Sequence, residues 1–120
     1  MNAERYDSFF ELLYMQLLDA DNSVRTWTKA HGIRILYHWS GAIRTYVPDF
    51  LIERGDQRVI VEVKGYEEPS KLNAKLNALE EHCEDTGVQY EYVDHGALEQ
   101  RVHAVYGCSI ATLRKRGRTQ

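Results

Sequence analysis

Tyr46-Val47-Pro48-Asp49-Phe50-Leu51-Ile52 and, after a turn, Val59-Ile60-Val61-Glu62-Val63-Lys64-Gly65 are the two stretches from which the rest of this 120-residue chain can be read. Both are rich in β-branched and aromatic residues, the composition of strands. Arg54-Gly55-Asp56-Gln57 between them is a turn. Alternate residues of a strand share a face, so Val59, Val61 and Val63 form one apolar side while Glu62 and Lys64 project together from the other. If the strands pair through that turn, Asp49, thirteen residues before Glu62, arrives at the same edge. Pro48 cannot donate to a sheet ladder, which predicts a bulge or strand edge where Asp49 has to turn aside.

Two carboxylates at such close quarters repel each other, and one is pushed toward protonation unless a cation bridges them. A hard divalent ion, Mg²⁺ with Mn²⁺ able to substitute, fits oxygen donors from Asp49, Glu62 and the carbonyl of Val63. The set suits phosphodiester hydrolysis: the ion polarises a phosphate and acidifies a water. Lys64 orients or deprotonates that water and balances the charge that develops on phosphorus. Standing alone, Glu62 and Lys64 would read more readily as an ordinary surface ladder pair; Asp49 and the flanking pattern turn the reading toward a site.

Working outward, Ile33, Ile35 and Tyr37 alternate before a Ser40-Gly41 turn, and Ile43 to Glu53 resumes the strand pattern, predicting a three-stranded antiparallel meander. Ahead of it, the apolar spacing from Phe9 to Leu18 predicts a helix, with Ser8 and Glu11 as a capping box. Asp21-Asn22-Ser23 reads as the N-cap of a second helix over Val24 to His31, stopped by Gly32. Beyond the motif, Ser70 caps a helix that ends at Gly87, Val88 to Val93 is a strand, and Ala97 to Tyr106 is a helix stopped by Gly107. The expected order is ααβββαβα, an α/β (α+β) fold with helices around a mixed four-stranded sheet. One domain over 1–113 and a basic tail over 114–120 are expected.

Composition narrows the functions. No apolar run is long enough to span a bilayer, and the first residues lack a leader's basic-then-apolar pattern, so a cytoplasmic protein with no membrane partner is expected, in a bacterial, archaeal or phage-infected cell. Cys83 and Cys108 lack ligand spacing and read as idle or buried thiols. The five histidines form no metal-binding cluster and read as surface or helix-end residues. Net charge is −3, which argues against binding of nucleic acid through bulk charge. Four of the fifteen basic residues, Arg114, Lys115, Arg116 and Arg118, fall in the last seven positions, so contact with phosphates is expected to be local and to involve that end. The segment from Ala97 to Gly117 has two helical halves around Gly107, a partial helix-turn-helix pattern that lacks a third helix, so a DNA-gripping basic tail is the more modest expectation. Tyr37, His38, Trp39 and Tyr66 are candidates to stack on a base or ribose, or to pack as ordinary rim residues.

Pro48-Asp49 with Glu62-Val63-Lys64 thirteen residues on resembles the PD-(D/E)xK, or restriction-endonuclease-like, nuclease superfamily. The resemblance covers roughly residues 7 to 93. Within it, Ser8-x-x-Glu11, the run Asp21 to Trp27 and Tyr46 to Phe50 are similar to TnsA-like transposase endonucleases and small phage nucleases. It implies a metal-dependent DNA endonuclease in which Glu11 joins Asp49, Glu62 and Lys64, although Ser8-x-x-Glu11 also serves as a cap. TnsA has glutamine where this chain has Glu62, so the match is to the general motif. DNA is the implied substrate, a transposase or other protein subunit the implied partner, and a homodimer the expected means of cutting both strands. A junction-resolving endonuclease and a catalytically silent nucleic-acid-binding module are the alternatives.

Overall fold

A computed structural model describes residues 2–63, 65 and 67–119, with side chains for 9–63, 65 and 67–116. Helix α1 (Asn2–Ala20) is followed by strands β1 (Val24–Thr28), β2 (Ile35–Trp39), β3 (Ala42–Tyr46), β4 (Phe50–Arg54) and β5 (Gln57–Val63), helix α2 (Pro69–Thr86), strand β6 (Gln89–Val93), and helices α3 (His95–Tyr106) and α4 (Ile110–Thr119). The main sheet has the order β1-β4-β5-β6, antiparallel except for the β5–β6 pair, which α2 connects as a crossover. The class is the mixed α/β one expected, but the order ααβββαβα is not the one observed.

Val24 to Thr28 is a strand rather than a helix. Asp21 does cap a turn, but its carboxylate accepts from Ser23 N (2.9 Å) and Ser23 Oγ (2.7 Å) while Val24 N donates to the Asp21 carbonyl. The same side-chain chemistry serves Asx turns and helix N-caps, so the residues alone do not separate them. Pairing decides: Trp27 lies opposite Ile52 and Thr28 opposite Leu51.

The expected meander also divides. β2 and β3 form a separate two-stranded sheet, turned through Ser40 (φ 53°) and Gly41 (φ 75°), both left-handed as a tight hairpin requires. The strand expected over Ile43 to Glu53 breaks at Val47-Pro48-Asp49, so β1 completes the four-stranded sheet in place of the hairpin.

Alternation along β4 and β5 sorts the core into two layers. Phe50, Ile52, Val59, Val61 and Val63 pack with Leu13, Tyr14, Leu17, Leu98, Val102 and Ile110 of α1, α3 and α4. Leu51 and Ile60 face the other way, with Ile35, Tyr37 and Tyr46 of the hairpin and Leu79 and Cys83 of α2. Glu62 therefore shares the α2 and hairpin face with Ile60. The N-cap of α2 is Glu68, not Ser70: its carboxylate accepts from Ser70 N and Lys71 N, both at 3.1 Å, and Pro69 takes the first helical position. Gly87 ends the helix in the left-handed conformation, as expected. Cys83 is buried and Cys108 half-buried, and both thiols are free.

Candidate active site

The break at Pro48 ends β3 and starts β4 so that Asp49 stands just before Phe50, whose partner across the sheet is Val61. The register carries Asp49 alongside Glu62. Asp49 Oδ2 accepts from Val63 N at 2.7 Å, and Asp49 N approaches Glu62 Oε1 at 3.3 Å. Glu62 thus takes the backbone N–H of Asp49 while Asp49 takes that of Val63, which fixes both carboxylates at the carboxyl end of β5. His31 steadies the same corner: its Nδ1 accepts from Ile33 N (2.9 Å), so Nε2 carries the proton and donates to the Pro48 carbonyl (2.8 Å).

Glu62 lies in a cleft of about 210 Å³ lined by, among others, Tyr46, Asp49, Val63, Glu67, Lys75 and Tyr92. Desolvation by burial, and then the charge of Asp49, hold its carboxyl well above the usual carboxylate range. Opposing this, Tyr46 Oη donates to Glu62 Oε1 at 2.7 Å and Lys75 offsets part of the negative charge. Tyr46 is itself raised far above its ordinary value, by desolvation first and the Glu62 charge second, so it remains a donor. Tyr92, opposite Glu62 on β6, is raised by the same two causes in the same order.

Lys75 pairs with Glu67, and its ammonium sits 5.4 Å from the Tyr46 ring and 5.9 Å from the Tyr37 ring. It is the only cation lining the cleft among the described residues. Nothing in the spacing of the two motif strands pointed to Tyr46, Glu67, Lys75 or Tyr92. Two slight signals were available: Tyr46, two residues before Pro48, and Lys75, one helical turn after Lys71. His31, grouped by sequence with surface histidines, is a backbone pin.

Of the sequence-derived candidates, the structure brings Asp49, Glu62 and Val63 together. Lys64 and Tyr66 lie outside the described residues, as does the side chain of Arg118. Glu11 is half-buried in an ion pair with Lys29, whose ammonium lies 5.1 Å from the Phe50 ring, and Glu11 does not line the cleft. Since α1 starts at Asn2, Glu11 is in mid-helix and the capping-box reading falls away. Arg114, Lys115 and Arg116 belong to α4, on the opposite face of the sheet from Glu62, with the Arg114 guanidinium 4.4 Å from the Phe9 ring.

No group of three or more His, Cys, Asp or Glu side chains able to hold a metal occurs among the described residues. The donor chemistry is that of two carboxylates and a backbone carbonyl, which suits an ion that keeps several of its waters. Glu62, desolvated by burial and raised further by the charge of Asp49, is the observation that fits a divalent cation.

A mixed sheet flanked by helices, with Asp at the start of one central strand and Glu at the end of the next, is the restriction-endonuclease-like fold. Residues 21–95, more than half of the chain, match the family described as TnsA-like endonuclease N terminal, and the chain belongs to that family. Neither the curated proteins nor the solved structures contain a match to it. No helix among the described residues is long and apolar enough to cross a membrane.

Proposed function

We propose that the protein is a metal-dependent endonuclease that hydrolyses DNA phosphodiester bonds at the Asp49–Glu62 cleft. The observation that carries this reading is the meeting of two carboxylates in one cleft, Asp49 just before β4 and Glu62 on β5, where burial and then the negative charge of Asp49 raise Glu62. Membership of an endonuclease family supports it. Asp49, Glu62 and the Val63 carbonyl are the residues to hold a divalent cation, with Mg²⁺ the expected ion and Mn²⁺ its substitute. A cation there supplies phosphate polarisation and an acidified water.

The chain's own groups do the rest. Tyr46 holds Glu62 Oε1 in place and favours its ionised form. His31 fixes the Pro48 carbonyl and with it the turn that presents Asp49. Lys64, two positions after Glu62, takes the role of orienting or deprotonating the water and balancing charge on the phosphate. Each chain carries one such cleft, so a double-strand break needs a second copy or a second nick, and the family suggests a transposase subunit as partner.

The test is nicking of supercoiled plasmid by the purified chain with Mg²⁺, with chelator, and with the Lys64→Ala variant. Nicking should require the metal and fall at least about a hundredfold with the substitution, the lower range for loss of a proton-transfer group. Activity that persists in chelator, or that is untouched by Lys64→Ala, overturns the reading.

A further inference from the structure

Two cations whose chain neighbours line the cleft have no acidic partner among the described residues. Arg44 on β3 and Lys71 in the first turn of α2 converge on one indole: the Arg44 guanidinium is 5.2 Å and the Lys71 ammonium 5.4 Å from the Trp39 ring. Trp39 is itself tied to α2, its Nε1 donating to Ser70 Oγ at 3.0 Å. Arg44 Nε donates to the Trp39 carbonyl at 3.4 Å, so the hairpin presents the guanidinium instead of leaving it to wander. Sequence neighbours of both cations, Thr45 and Leu72, line the cleft, and Lys75, one helical turn on from Lys71, lies inside it.

The nearby acids are already engaged. Glu67 pairs with Lys75, and the Glu68 carboxylate is bound to the α2 amides of Ser70 and Lys71. Glu68 also closes the helix end, so anion binding here falls to the side chains. In a chain with net charge −3, two uncompensated cations beside an acidic cleft mark where a polyanion can lie without repulsion.

We propose that Arg44 and Lys71, gathered on Trp39, form a nucleic-acid backbone site that takes phosphates flanking the scissile one. This extends the nuclease reading and rests on it for the position of the scissile phosphate. The indole serves as the platform for the two cations, so the site holds the backbone and does not read bases.

The experiment is fluorescence anisotropy of a labelled DNA duplex with the full chain in chelator, titrated across about 50 to 200 mM salt. Comparison is between wild type, Arg44→Gln/Lys71→Gln and the charge-conserving Arg44→Lys/Lys71→Arg. Two lost phosphate contacts should reduce the slope of log affinity against log salt by about 1.8, so that over this range the wild type loses about tenfold more affinity than the neutralised variant. The charge-conserving pair should keep most of the slope. If the double variant unfolds in a thermal melt, Lys71→Gln alone should lower the slope by about one. An unchanged slope in a folded neutralised variant overturns the site, even if wild type nicks plasmid with Mg²⁺. A lowered slope in a chain that never nicks upholds the backbone contact and counts only against the nuclease reading.

Discussion

Raising the pH of the metal-free protein from about 5 to about 8 should destabilise it, with Glu62 as the cause. Burial first, and the Asp49 charge second, raise its carboxyl in the folded chain, whereas unfolding restores an ordinary carboxylate value. Between those two values the folded state holds a proton that the unfolded state has released. The associated stability is complete below the unfolded pKa and is lost as the pH rises through the folded one. The slope in that window approaches ~1.4 kcal/mol per pH unit. For a domain of this size ~1 kcal/mol corresponds to about 4 °C, so the melting temperature should fall by about 5 °C per pH unit. Thermal melts followed by circular dichroism in chelator, at half-unit pH steps, measure it. Glu62→Gln, which cannot titrate, should flatten the curve. Mg²⁺ should stabilise wild type more at pH 8 than at pH 6, because a cation favours the ionised carboxylate. A wild-type melting temperature that is flat or rises over this range, or a Glu62→Gln variant with the wild-type slope, refutes the account.

Two further changes probe the groups that hold the acids. Tyr46→Phe removes the 2.7 Å hydrogen bond to Glu62; a bond to a charged group is worth ~1.5–3 kcal/mol, so the acid limb of the pH–rate profile should move up by about one to two units, with activity recovered above it. An acid limb that stays in place removes Tyr46 from the site. His31→Ala deletes both backbone bonds that pin the Pro48 corner and should cost ~1–3 kcal/mol in a denaturant melt, together with a slower nicking rate at saturating Mg²⁺. A variant as stable and as active as wild type would show that the corner holds itself.

The central pair of strands was legible because its pattern is redundant. Val59, Val61 and Val63 declare one buried face, and the turn at Gly55 fixes the register that brings Asp49 to Glu62. Pro48 likewise announced an interruption, though its effect is larger than a bulge: it ends β3 and sends the hairpin out of the sheet. The segment Val24 to Thr28 was not legible. Its capping residues suit a helix and a turn equally, and only the vacant edge of β4, a tertiary feature, makes it a strand. Lys75 was invisible as a site residue, and Trp39 was legible only as a candidate stacking ring, for a similar reason: α2 and the hairpin are brought together by tertiary packing over Leu51 and Ile60.

The sheet also divides the basic residues in a way that composition hides. The cations of α4 lie with α1 and α3 behind Val59, Val61 and Val63, and Arg114 is committed to the rings of Phe9 and Phe10. On Glu62's face stand Lys75, which lines the cleft, and Lys71 and Arg44, gathered on Trp39; they are fewer in number and scattered in the sequence, yet brought to that face by one helix and one hairpin. On the nuclease reading, a phosphate backbone brought against Asp49 and Glu62 would run over the face that carries these cations, within reach of opposite charge that acts over about one Debye length, ~8–10 Å at physiological salt. On that reading, placement on the face of the two acids should count for more than the greater charge density of the C-terminal helix.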